Sequence, residues 1–188
     1  MSPSSPLPAS DRDMRLPRRD MTTRPPAVLL ALFDELDRLS GAIPVQQLEA
    51  LVARWSITAE QLGDAIQIDT DAYVRTLVFE RGHVEVLVMA WLPGQRSPIH
   101  DHGGSACAVR VVSGSALERL YRKRDDGLVV PTGERRLVGG GVTSSSDEDI
   151  HSLGNAADAP ASPSDILVTI HVYSPPLQPT RKYVEAAP

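Results

Sequence analysis

Five histidines and one cysteine are the residues of this 188-residue chain best suited to hold a metal or an oxidisable sulfur: His83, His100, His102, His151, His171 and Cys107. His100-Asp101-His102 is the densest group. On an extended segment residues i and i+2 point the same way, so both imidazoles can reach one metal ion from a stiff backbone. A His-x-His pair alone is a weak signal, because ordinary surface and core histidines produce it too. Asp101 points away from that pair and reads as a supporting or solvated group. His83 sits between two apolar runs, in a turn, and is expected to face solvent. One cysteine cannot close an internal disulfide.

The rest of the composition removes whole classes of function. A net charge of -5 and a pI near 5.5 do not provide the basic footprint that meets phosphates, so nucleic acid is not an expected partner. No apolar run approaches the roughly 18 residues needed to span a bilayer, so no membrane partner is expected either.

Residues 1–26 carry six prolines, several serines and five arginines, and read as a disordered tail that cannot bury enough apolar surface to offset its ordering entropy. The stretch lacks the apolar core of a signal peptide, and Met14 and Met21 are alternative starts. Residues 27–188 are expected to form one domain. Over 27–68 the period is helical: Leu29, Leu32, Phe33, Leu36 and Leu39 make one stripe, a second helix runs over about 45–55, and Thr58 with Gln61 forms a capping box opening a third. From about Ala72 the period changes to two. YVRTLVFE and VEVLVMAW are joined by Arg81-Gly82-His83, and CAVRVVSG, SALERLYRK, GLVV, RRLV, GGGVTSS and DILVTIHVYS follow. Many short strands punctuated by glycine and proline predict a mostly β fold: a barrel over 70–177 with a short helical cover in front.

Within that barrel the spacing Gly94-x5-His100-x-His102-x4-Cys107-x6-Gly114, followed by His151-x3-Asn155, resembles the two motifs of the cupin superfamily. The usual first motif has Glu where this chain has Cys107, and the usual Pro-x-Gly before the second histidine is absent. That departure is similar to the cysteine dioxygenases, which hold their metal with three histidines. Further segments match in order: Tyr73-Val74-Arg75, Trp91, SPIHDHGGSAC, and Thr169-x-His171-x-Tyr173-Ser174-Pro175-Pro176, where Thr169 keeps the hydroxyl of the family's serine.

The resemblance implies a role for each matched residue. His100, His102 and His151 would hold Fe(2+), with the open half of the coordination sphere left for substrate and dioxygen. Arg75 would bind the substrate carboxylate with its rigid fork, and Tyr73 would contact the substrate beside it. Tyr173, His171 and Thr169 alternate along one strand and would form a catalytic hydrogen-bonded row. Cys107 would form a thioether with Tyr173. Trp91 would pack the wall, and Ser174-Pro175 would be a cis peptide.

The implied reaction is oxidation of L-cysteine by O2 to cysteine sulfinic acid by a cytoplasmic, monomeric enzyme. Arg75 favours cysteine, since relatives acting on mercaptopropionate tend to carry glutamine there. Three readings stay open beside it: the same chemistry on mercaptosuccinate or 3-mercaptopropionate, a non-catalytic metal-binding cupin, and a sugar isomerase. The last normally keeps the acid that Cys107 replaces.

Overall fold

The computed structural model describes residues 18–21, 24–146, 148–157 and 165–187. Among these, nine strands form two sheets. The larger has the order β1-β2-β3-β9-β4-β7 and the smaller β6-β5-β8. The strands are β1 (Arg18–Asp20), β2 (Val74–Arg81), β3 (Val84–Trp91), β4 (Ala106–Ser113), β5 (Ser115–Lys123), β6 (Val129–Val138), β7 (Val142–Ser145), β8 (Ile150–Asn155) and β9 (Leu167–Ser174). The fold is mostly β and of the cupin type, with short helices ahead of the sheets.

Strands β3 and β9 are buried along their whole length. Their period of two sorts residues onto two faces. Val168, Ile170 and Val172 join Val84, Val86 and Val88 on the outer face of the large sheet, against α1 (Leu30–Asp37), α2 (Val45–Ala53) and α3 (Ala59–Leu62). Leu167 and Tyr173 join Leu87, Met89 and Trp91 on the inner face, where Leu153 of the small sheet meets them. The helical stripe is as expected: Leu29, Leu32, Phe33 and Leu36 are buried, and the Thr58–Gln61 capping box opens α3.

Three expectations are corrected. Arg18–Asp20, expected in the tail, form β1 and pair in parallel with β2. Their charges are matched: Arg18 reaches Glu80 and the buried Glu85, each at 3.0 Å, and Arg19 reaches Asp69 at 2.6 Å. The remainder of the expected tail through residue 17, with residues 22–23, lies outside the described residues, and so does Met14. GLVV and RRLV are one strand, β6. As the edge of its sheet it tolerates Pro131, whose missing N–H faces no partner strand. His83 is half-buried, with its Nε2 hydrogen-bonded to the Leu36 carbonyl at 3.1 Å, so it ties the hairpin to α1.

Candidate metal centre

The two histidine motifs meet through their backbones. His100 N–H donates to the His151 carbonyl at 2.9 Å, and His151 N–H donates to the His100 carbonyl at 3.0 Å. This pairing carries the loop before β4 onto β8. Gly154 permits the close approach, because a Cβ there would lie 2.6 Å from the Gln95 carbonyl oxygen. The three rings of His100, His102 and His151 have centroids 4.8–5.4 Å apart, and one nitrogen from each lies within 4.8 Å of the others.

The hydrogen bonds select nitrogens. His100 Nδ1 donates to the Pro98 carbonyl at 2.9 Å and His151 Nδ1 donates to Glu118 Oε1 at 2.7 Å, so each Nε2 keeps its lone pair. Burial and the neighbouring imidazoles hold His102 down to about 3 and His100 to about 4, against the opposing pull of the Pro98 carbonyl and Asp101 on His100. Neutral imidazoles this close together are the form that ligates a transition metal. Among the described residues His102 Nδ1 is buried without a well-aligned partner. This donor set fits a three-histidine metal site.

The C-terminal segment braces the loop. Asp101 is buried and accepts from Arg181 N–H and the Tyr183 hydroxyl, each at 2.9 Å, while Tyr183 N–H donates to the Ile99 carbonyl at 2.9 Å. Gly103 adopts φ +57°, and a Cβ there would meet the Pro179 carbonyl oxygen at 2.7 Å. Asp101 thus supports the loop and does not join the imidazole group.

On the inner face of β9, Thr169, His171 and Tyr173 form a buried row. Trp91 Nε1 donates to Thr169 Oγ1 at 3.0 Å, Thr169 Oγ1 lies 2.9 Å from His171 Nε2, and His171 Nδ1 lies 3.2 Å from the Tyr173 hydroxyl. An indole N–H only donates. Thr169 Oγ1 therefore accepts from Trp91, and with the phenol proton turned to Cys107 the row runs from Trp91 to Thr169 to His171 to Tyr173, so that the phenol proton serves Cys107 or a bound reactant. Cys107 stands opposite Tyr173 in the β4–β9 ladder, and the phenol lies close enough to favour its thiolate. Burial outweighs that contact and pushes the thiol well up, as it does the Tyr173 hydroxyl. Burial likewise lowers His171 well below its ordinary value. The Ser174–Pro175 peptide is cis. Trp91 does more than pack: it also stacks on Tyr73 with centroids 3.9 Å apart. Burial raises the Tyr73 phenol to about 12.

Arg75 lies two residues beyond Tyr73, on β2. Its charge acts on Tyr73, Glu85, His100, His171 and Tyr173. Among the described residues no hydrogen bond or ion pair engages its guanidinium. A half-buried cation without an internal partner is poised for an external anion. Asn155 is structural, donating to the Trp91 and Asp165 carbonyls.

Glu118 is a site residue that no sequence motif marks. It is fully buried on β5, diagonal to His151 across the β5–β8 ladder. Burial works against its charge, but hydrogen bonds from His151 and Arg135 outweigh that and hold its carboxyl down to about 2. The available signal was a carboxylate on the Ala116 face of SALERLYRK, where an apolar residue would be expected.

The family model described as cysteine dioxygenase type I matches residues 19–186. The protein named cysteine dioxygenase type 1 from Danio rerio is 28% identical over 149 residues, covering 77% of this chain and 72% of its own length. Its namesake from Homo sapiens is 25% identical over 138 residues, covering 71% of this chain and 66% of its own length. Among solved structures, a Klebsiella pneumoniae protein with a double-stranded β-helix domain aligns with a TM-score of 0.48 at 19% identity, covering 65% of this chain and 93% of that one. A Thermus thermophilus protein aligns with a TM-score of 0.47 at 18% identity, covering 58% and 89%.

Proposed function

The chain belongs to the cysteine dioxygenase type I family, and from that premise we propose that it is a non-haem Fe(II) thiol dioxygenase that converts L-cysteine and O2 to cysteine sulfinic acid. His100, His102 and His151 would hold the iron. Bound iron would supply the redox chemistry with dioxygen and keep the substrate thiol deprotonated. Both oxygen atoms end on the sulfur, so the reaction needs no external reductant.

The chain's own residues bind, orient and manage protons. Arg75 carries the reading: its charge acts on His100, His171 and Tyr173, its guanidinium has no hydrogen-bond or ion-pair partner among the described residues, and it would take the substrate carboxylate in a bidentate grip. Tyr73, held by its stack on Trp91, would close the substrate pocket. The row from Trp91 to Tyr173 would aim the phenol proton at the reacting sulfur and oxygen, with the buried inner face of β9 keeping water away. Cys107 would join Tyr173 through a thioether. Residues 27–188, with β1 added, would act as one domain, as a cytoplasmic monomer. No helix of the described residues is long and apolar enough to cross a membrane.

The test is oxygen uptake with Fe(II) and L-cysteine, mercaptosuccinate or 3-mercaptopropionate, on the parent and on Arg75→Ala. The expected result is a preference for cysteine in the parent and a KM raised at least ~10-fold in the variant, with iron still bound. No uptake with any thiol would leave a non-catalytic metal-binding protein. Unchanged cysteine kinetics in the variant would remove the substrate assignment.

A further inference from the structure

We infer that Glu118 is a positioning residue for the metal centre: it dictates which nitrogen of His151 faces the other two imidazoles, and Arg135 with Thr143 dictates the polarity of Glu118. The inference rests on reading the three histidines as a metal site.

Arginine has only N–H donors. Arg135 stands directly opposite Glu118 in the β5–β6 ladder and donates through Nε to Glu118 Oε2 at 2.5 Å. A second Arg135 nitrogen donates to Thr143 Oγ1 in a short contact. Thr143 Oγ1 therefore accepts from the arginine, and its own proton goes to Glu118 Oε2 at 3.0 Å. With Oε2 receiving two donors, Glu118 is held as an acceptor. Its other oxygen, 2.7 Å from His151 Nδ1, then requires that nitrogen to carry the proton. The lone pair is confined to Nε2, the only nitrogen of His151 free to ligate.

His100 obtains the same selection from a neutral backbone carbonyl. At His151 the acceptor is a fully buried anion, which binds the N–H more strongly and makes the ring a better donor at Nε2. Arg135 offsets the charge of Glu118, so the pair orients the ligand without making the site more negative.

Glu118→Gln tests this with nearly the same shape. Its amide oxygen would be claimed by Arg135 and Thr143, leaving the NH2 group facing His151 Nδ1. Two donors cannot share that contact, so the His151 proton should move to Nε2 and block ligation. In metal-free parent protein, imidazole 15N shifts should show His151 protonated on Nδ1, and in Glu118→Gln on Nε2. Affinity for Co(II) by calorimetry should fall about 10–100-fold in the variant, the usual effect of losing such a partner.

Parent protein with His151 protonated on Nε2 would overturn the inference even if the variant did not fold. So would a variant that folds and binds Co(II) as tightly as the parent. Parent protein that binds neither Co(II) nor Fe(II) would overturn the metal-site reading itself, which is a different outcome.

Discussion

Thr169→Val removes one hydroxyl from the centre of the buried row and changes almost nothing in shape. Thr169 is fully buried, Trp91 is 1% exposed and His171 is 5% exposed. The hydroxyl takes the Trp91 N–H and meets His171 Nε2, so its loss strands one buried donor and one buried acceptor. Each stranded group costs about 1–3 kcal/mol. The expected loss of stability is about 2–6 kcal/mol, or a melting temperature lowered by about 4–24 °C at this chain length. With His171 free to rotate, Tyr173 loses its hydrogen-bonded orientation, and kcat with L-cysteine should fall about 10–100-fold. Iron affinity should hold, because Thr169 makes no hydrogen bond to His100, His102 or His151. Thr169→Ser should restore both melting temperature and kcat. Calorimetric melting with oxygen uptake checks this. A Thr169→Val protein that melts and turns over like the parent would refute the hydrogen-bonded row.

Three other outcomes are expected. The metal-free protein should lose stability as pH falls below about 6.5: His102 and His171 titrate near that value when unfolded but far lower when folded, so the unfolded state binds more protons. Those two groups together give about 2–3 kcal/mol by pH 5.5, and a urea midpoint unchanged between pH 7 and 5.5 would contradict it. A chain begun at Met21 loses Arg18 and leaves Glu85, whose side chain is 3% exposed, without its ion pair and held only by the Leu177 N–H at 3.1 Å among the described residues. It should be less stable by about 2–3 kcal/mol, and Arg18→Ala should reproduce most of that in thermal melts. After many turnovers, peptide mass analysis should find Cys107 joined to Tyr173 with loss of two hydrogens, dioxygen being the oxidant; full alkylation of Cys107 would exclude the link.

Much of the site was legible because its residues cluster in short spans. His100 and His102 share a loop, and Thr169, His171 and Tyr173 share one strand face by simple alternation. The helical stripe and the Thr58–Gln61 box were legible for the same reason: their partners are three or four residues away. β1 was not. Its residues have tail-like composition, and only the distant carboxylates of Glu80, Glu85 and Asp69 match their charge. β6 looks like two strands in the sequence because Pro131 and Gly133 resemble breaks until the strand is known to lie at an edge.

The amino-acid order alone specifies the kinds of chemistry present: three imidazoles, an arginine in an apolar strand, a phenol and a thiol, with a strand period that assigns Arg75, Cys107, His151 and Tyr173 each to a face. It could not determine which faces meet. A period of two states only that a residue points in or out; register and strand order decide its neighbour. Glu118 beside His151, Trp91 beside Thr169, Tyr183 beside Asp101 and Arg18 beside Glu85 are all contacts between segments far apart in the chain. Each turns a polar residue that would be costly to bury alone into a satisfied one, because the energetic meaning of a buried charge lies in its partner, and only the tertiary structure supplies that partner.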